Sequence, residues 1–137
     1  MNRLVLLDNE AIQALRDPAH RKHRRVLNEV QLVVKRAART LSVRVAVPAA
    51  VRVETGWDRT SSAWAFVNRF QIADIPLDTS HADAAAGVVK RTGVSVADAH
   101  LGAAIQASES SHVMVLTSDP DDMRQVAEGR RVDVVAI

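Results

Sequence analysis

Short aliphatic runs alternate with longer segments of helical period along this chain. Arg3–Leu7 (RLVLL), Val43–Val47 (VRVAV), Ile72–Ile75, His112–Leu116 (HVMVL) and Val132–Ile137 (VDVVAI) are short and mostly β-branched or aliphatic, as strands are. Between them, seven segments read as helices: Asn9–Leu15, Ala19–Thr40, a stretch opening at Pro48 and ending at Gly56, Thr60–Arg69, Asp78–Arg91 closed by Gly93, Ser95–Ser108, and Asp119–Glu128 before Gly129. In the second of these, Val26, Val30, Val33, Ala37 and Leu41 recur every three or four residues and form one apolar stripe. Strands separated by helices pair in parallel through right-handed crossovers. The expected fold is therefore α/β, a three-layer α/β/α arrangement around a parallel sheet of about five strands, with residues 1–137 forming a single domain. Sheets of this kind bind ligands beyond the carboxyl ends of their strands, near the point where the strand order reverses.

Composition removes several function classes. Without cysteine there is no disulfide scaffold, zinc–thiolate site or thiol nucleophile. No apolar run approaches the ~20 residues of a membrane span, and Leu4–Leu7 is too short for a signal-peptide core, so a soluble, cytoplasmic protein is expected. Eighteen Lys and Arg against sixteen Asp and Glu leave a net charge of +2, so bulk charge does not announce a nucleic-acid binder. Aromatic residues at 3% argue against folds that stack bases on aromatic platforms. There is no phosphate-cradling G-x-x-x-x-G-K or G-x-G-x-x-G, and the segment around Ser95 lacks the second glycine of a nucleophile elbow, which leaves the five histidines without a serine-hydrolase frame.

Four acids fall where such a sheet would gather them. Asp8 follows the first strand, Glu54 sits in the helix after the second, Asp98 opens a helix, and Asp119 comes two residues past the fourth strand. Three have structural explanations as helix-start residues: Asp8 before Asn9, the Ser95–Asp98 capping box, and the Asp119-Pro120-Asp121-Asp122 run. Glu54 lies within a helix, beside an arc of Ala50, Val53 and Trp57, with no evident partner nearby in sequence. Brought to one edge, the four would repel one another unless a cation neutralised them. Carboxylate-only ligation suits a hard ion such as Mg²⁺ or Mn²⁺, and with it phosphoryl transfer or phosphodiester hydrolysis.

The segments LVLLD with Asp8, VPAAVRVE with Glu54, GVSVADAHLGAAI with Asp98 and VMVLTSDPDDM with Asp119 span nearly the whole chain in order. Together they resemble the PIN-domain ribonucleases, in particular VapC-type toxins of type II toxin–antitoxin modules. The resemblance implies a PIN-like fold and an Mg²⁺- or Mn²⁺-dependent endoribonuclease. It implies Asp8, Glu54, Asp98 and Asp119 as the acidic site, with Asp8, Asp98 and Asp119 on the metal. Thr117 resembles a hydroxyl residue that orients that site. Asn9 stands where the family usually has a small hydroxyl residue, but can still donate a hydrogen bond. Asp122 is a further acid, read here as a helix-start residue. The resemblance also implies a cognate antitoxin, an RNA substrate and a homodimer.

The stretch Arg16–Arg25 (RDPAHRKHRR) is the most basic in the chain, and Arg21, Lys22, Arg24 and Arg25 are candidates to contact RNA phosphates, against the plainer reading of a solvated helix face. Trp57, Trp64, Phe66 and Phe70 are candidates for a partner groove or dimer face, against ordinary core packing. The alternative function is a catalytically inactive PIN-like RNA-binding module. A phosphoacceptor receiver domain is disfavoured, because the third strand ends in Ile75-Pro76-Leu77-Asp78 and the fifth ends the chain.

Overall fold

The computed structural model describes residues 2–39 and 42–137. Five parallel strands, β1 (Arg3–Leu7), β2 (Val43–Pro48), β3 (Ile72–Ile75), β4 (His112–Thr117) and β5 (Asp133–Ala136), lie in the order β3-β2-β1-β4-β5. Seven α-helices are described: α1 (Asn9–Arg16), α2 (His23–Arg39), α3 (Ala49–Thr55), α4 (Ala65–Asn68), α5 (Thr79–Thr92), α6 (Val96–Ala107) and α7 (Pro120–Val126). From β1 the chain winds outward through β2 to β3, then crosses to β4 on the far side of β1. With right-handed crossovers, this change of direction puts α1–α4 on one face of the sheet and α5–α7 on the other. The result is the three-layer α/β/α arrangement expected from the sequence.

The central strands are the most apolar because both of their faces are covered. Leu4–Leu7 of β1, Val45–Val47 of β2, and Val113, Val115 and Leu116 of β4 are buried, with Ile12 and Leu15 of α1 and Leu101 and Ile105 of α6 closing over them. On α2, Val26, Val30 and Val33 face the core as the stripe predicts. Thr40, Leu41 and the side chain of Ala37, which belong to the same expectation, lie outside the described residues. Gly102 on α6 lets α7 approach closely. A Cβ there would stand 2.9 Å from both Cβ and the carbonyl oxygen of Val126.

Three helices differ from expectation, and local polar chemistry accounts for the first two. The second helix starts at His23 rather than Ala19. Asp17 Oδ1 accepts from the Ala19 amide, and further turns run from His20 N to Asp17 O and from His23 N to His20 O. The segment Thr60–Arg69 is a 3₁₀ turn at Ser62–Trp64 followed by the single turn of α4. Asp58 captures both the amide and the hydroxyl of Thr60, and Ser61 accepts from the Ala63 amide. Pro48 ends β2 and stands at the N-cap of α3 rather than inside it. Gly56 closes α3 at φ 74°, a left-handed conformation that glycine adopts without steric cost.

Candidate active site

The strand order reverses between β1 and β4. Asp8 leaves the carboxyl end of β1 and Asp119 follows that of β4, so the two border the same crevice. Register joins them: Leu7 is level with Leu116, and the Asp8 amide donates to the Leu116 carbonyl at 3.2 Å. Asp8 is buried. Its Oδ1 accepts from the Ala11 amide at 2.8 Å, as the N-cap of α1, and its Oδ2 accepts from the Ser118 amide at 3.1 Å. Burial pushes the Asp8 carboxyl up, against the lowering effect of those amides and of a hydrogen bond with the Thr117 side chain. Fully buried Thr117 also accepts the Asp119 amide on Oγ1 at 2.9 Å, so one hydroxyl ties both acids together.

Asp119 caps α7 through the Asp122 amide at 3.3 Å, and Ser95 caps α6 through the Asp98 amide at 3.1 Å. The cap readings drawn from the sequence therefore hold for Asp8 and Asp119, while of the Ser95–Asp98 capping box only the Ser95 half is formed among the described residues. They do not exhaust these acids, because Asp98 is affected by the others at a distance. Its carboxyl is pushed up to about 6, first by burial and then by the charges of Asp8, Glu54, Asp122 and Asp119. Asp122, read from sequence as a helix-start residue, thus belongs to the same electrostatic group. Burial and its hydrogen-bonded neighbour Asp119 raise its own carboxyl. No ion pair reaches any of these five carboxylates among the described residues.

Glu54 is exposed, as is the neighbouring Val53 at 81%. It also has a partner, 45 residues away: Asn9 Nδ2 donates to Glu54 Oε1 at 2.6 Å. No sequence-local pattern encodes that pairing. Arg52, on the same helix, is engaged elsewhere, with Asp74 at 2.8 Å.

The basic run forms the turn before α2 and its first helical turn. Arg21, Arg24 and Arg25 are exposed and Lys22 is half-buried, and none of the four is ion-paired among the described residues. His20 anchors the turn to Glu10, two residues beyond Asp8, with Nε2 2.9 Å from the carboxylate. The basic corner is thereby held against the first turn of α1, at the acidic edge. The aromatic residues divide. Trp57 and Trp64 are buried and stacked at 5.8 Å, Phe70 packs on the core, and Phe66 remains 38% exposed. The exposed apolar patch beside the acids is aliphatic instead. Val53, Leu77 and Val96 line a groove of about 330 Å³ with Glu54 on its wall.

No family model matches this sequence, and no curated protein matches it. Among solved structures, the chain is similar to the crystal structure of FitAcB from Neisseria gonorrhoeae, at a TM-score of 0.57 and 19% identity, over 96% of each chain. The two chains share one fold. Helix α6 gains from that fold a place between α3, α5 and α7, which is how Asp98 comes to feel acids from three other segments.

Oxygen-only donors with excess negative charge match a hard divalent ion in ligand chemistry. Three of the four acids already have a protein donor: Asp8 the Ala11 and Ser118 amides, Glu54 the Asn9 amide, and Asp119 the Asp122 amide. As the side chains stand, no three carboxylate or imidazole groups among the described residues are close enough to share one ion.

Proposed function

We propose that this chain is an Mg²⁺-dependent endoribonuclease, with Mn²⁺ an acceptable substitute, and that it acts as the toxin of a type II toxin–antitoxin pair. Support for the nuclease comes from Asp98, a carboxyl pushed up to about 6 by burial and four other carboxylates, with no cation paired to the group among the described residues. Such an arrangement costs folding energy in the bare protein and is relieved by a divalent cation. Asp8, Asp98 and Asp119 would hold the ion, and Glu54 would complete the acidic site. A bound ion of this kind supplies a water of lowered pKa and neutralises charge developing on a phosphate. The protein's own parts have distinct tasks. Thr117 fixes Asp8 and Asp119 relative to each other, Asn9 aims Glu54, and Arg21, Lys22, Arg24 and Arg25 hold the RNA backbone beside the acids.

The toxin role rests on the four ordered motifs. A cognate antitoxin would seat an apolar segment on Val53, Leu77 and Val96 and bring a basic side chain to Glu54. A homodimer and a cytoplasmic location belong to the same reading. No helix among the described residues is long and apolar enough to cross a membrane.

One observation favours the catalytically inactive RNA-binding module: the absence, among the described residues, of three groups close enough for a shared ion. Titration with Mn²⁺ separates the two readings. The nuclease binds Mn²⁺ and loses that binding in Asp98→Asn, whereas the module binds none. In parallel, a pool of tRNA, rRNA and mRNA fragments should be cut with Mg²⁺ or Mn²⁺, spared with EDTA, and spared by Asp8→Asn and Asp98→Asn. Expressed alone in cells, the chain should arrest growth, and Asp8→Asn should relieve the arrest.

A further inference from the structure

Helix α3 carries Glu54 and begins without a side-chain cap. Its N-cap residue is Pro48, which has no side-chain acceptor to offer the exposed amides of the first turn. One of those amides is satisfied from outside the helix. The Ala50 amide donates to Nδ1 of His100 at 3.3 Å, and His100 belongs to α6, two residues beyond Asp98. In sequence the two partners are 50 residues apart.

His100 is 0% exposed, so its hydrogen bonds cannot be exchanged for water. Accepting the Ala50 amide requires Nδ1 to be unprotonated, which places the ring hydrogen on Nε2. Nε2 meets no hydrogen-bond geometry among the described residues, although the Pro76 backbone, just past β3, acts on the ring. The ring packs edge-on against His81 of α5, centroids 5.6 Å apart, and His81 pairs with Asp78 at 3.0 Å. The imidazole is thus clamped from α5 and the β3 end while it caps α3. Glu54 lies one turn beyond Ala50, on the same face of α3.

We infer that His100 is a positioning residue for the acidic site, an N-cap supplied by α6 that sets α3, and hence Glu54, relative to Asp98. Asn9 holds the Glu54 carboxylate from the β1 side, and His100 holds its helix from the α6 side. This role rests on the nuclease reading above.

The test compares His100→Phe, which keeps ring volume and loses the acceptor, with His100→Asn, whose Oδ1 restores an acceptor near Nδ1. On an RNA that the wild-type chain cleaves, His100→Phe should lower kcat roughly tenfold with KM within about twofold, the behaviour of a displaced group rather than weakened binding. His100→Asn should recover most of the loss. In a Glu54→Gln background, His100→Phe should cost nothing further, because the residue it positions is already disabled. A structural role would instead lower activity equally in both backgrounds and overturn the inference, as would wild-type kcat in His100→Phe. Should His100→Phe not fold, His100→Asn and His100→Gln decide: equal kcat in the two overturns the role, because Gln places its polar end nearer Nε2. Failure of the wild-type chain to bind Mn²⁺ and cut RNA overturns the nuclease reading itself, which is distinct from active enzyme with an indifferent His100.

Discussion

Replacing Asp98 with asparagine should stabilise the metal-free protein near neutral pH. Asparagine keeps the shape of the side chain and removes the charge. The Asp98 carboxyl rises from 3.8 in the unfolded chain to about 6 in the folded one, through burial and the surrounding carboxylates. Between those values the folded chain binds more protons than the unfolded one. This group's contribution is therefore most favourable below the ordinary carboxylate value and is lost as pH rises through about 6. Unscreened, such a shift corresponds to about 3 kcal/mol. Asp98 is only half-buried, and solvent screening reduces the figure to roughly 1–2 kcal/mol. For a chain of this length that is a rise of about 2–8 °C in Tm for Asp98→Asn. Thermal unfolding in EDTA near pH 7 and near pH 4 measures it: the variant should exceed wild type at the higher pH, and the gap should shrink at the lower. Saturating Mn²⁺ should reverse the order by stabilising wild type alone, by about 2.7 kcal/mol at a hundredfold excess over Kd. A variant less stable than wild type in EDTA near pH 7, or a gap independent of pH, would refute the electrostatic account of this site.

Gly102→Ala should destabilise the fold by about 1–3 kcal/mol in urea unfolding, because α7 must move away from the added methyl; a loss below that range would mean that α7 yields freely. Arg130 donates to the carbonyls of Ile105 and Ser110 at 2.8 Å each and to that of Ser108, closing the end of α6, so Arg130→Leu should cost about 1–3 kcal/mol by the same assay. Changing Arg21, Lys22, Arg24 and Arg25 together to alanine should weaken RNA binding and flatten its salt dependence, by about 0.7 in log–log slope for each phosphate of a single strand that is no longer neutralised. An unchanged slope would make the basic corner a solvated face. Asn9→Ala frees the Glu54 carboxylate and should lower kcat more than KM rises in RNA cleavage.

The strand segments were legible because their signal is local: RLVLL and IADI are strands over the very residues that the composition marks. The short helix after Asp58 was not, since its periodicity suited a helix while Asp58 and Ser61 took the backbone donors that a helix needs. Three of the four acids were visible twice over, as helix starts and as members of an ordered set. The cap geometry of Asp8 and Asp119 matches the local reading, while at Asp98 only the Ser95 half of the capping box is formed among the described residues. Asp122 was discounted because a local explanation sufficed, yet its charge bears on Asp98 across two helices.

The alternation of strand and helix, the crossover rule and the order of the acid-bearing segments are properties of the chain read along its length. They determine a parallel three-layer fold and the edge at which the acids gather. The partners of those acids are another matter. Asn9 reaches Glu54 across 45 residues, Ser118 reaches Asp8 across 110, and His100 caps a helix whose own N-cap is a proline. Such pairings leave no periodicity, because they depend on how helices seat against one another after the sheet has formed. The same is true of the charge on Asp98, which burial and four distant carboxylates set together and which only the packed structure decides.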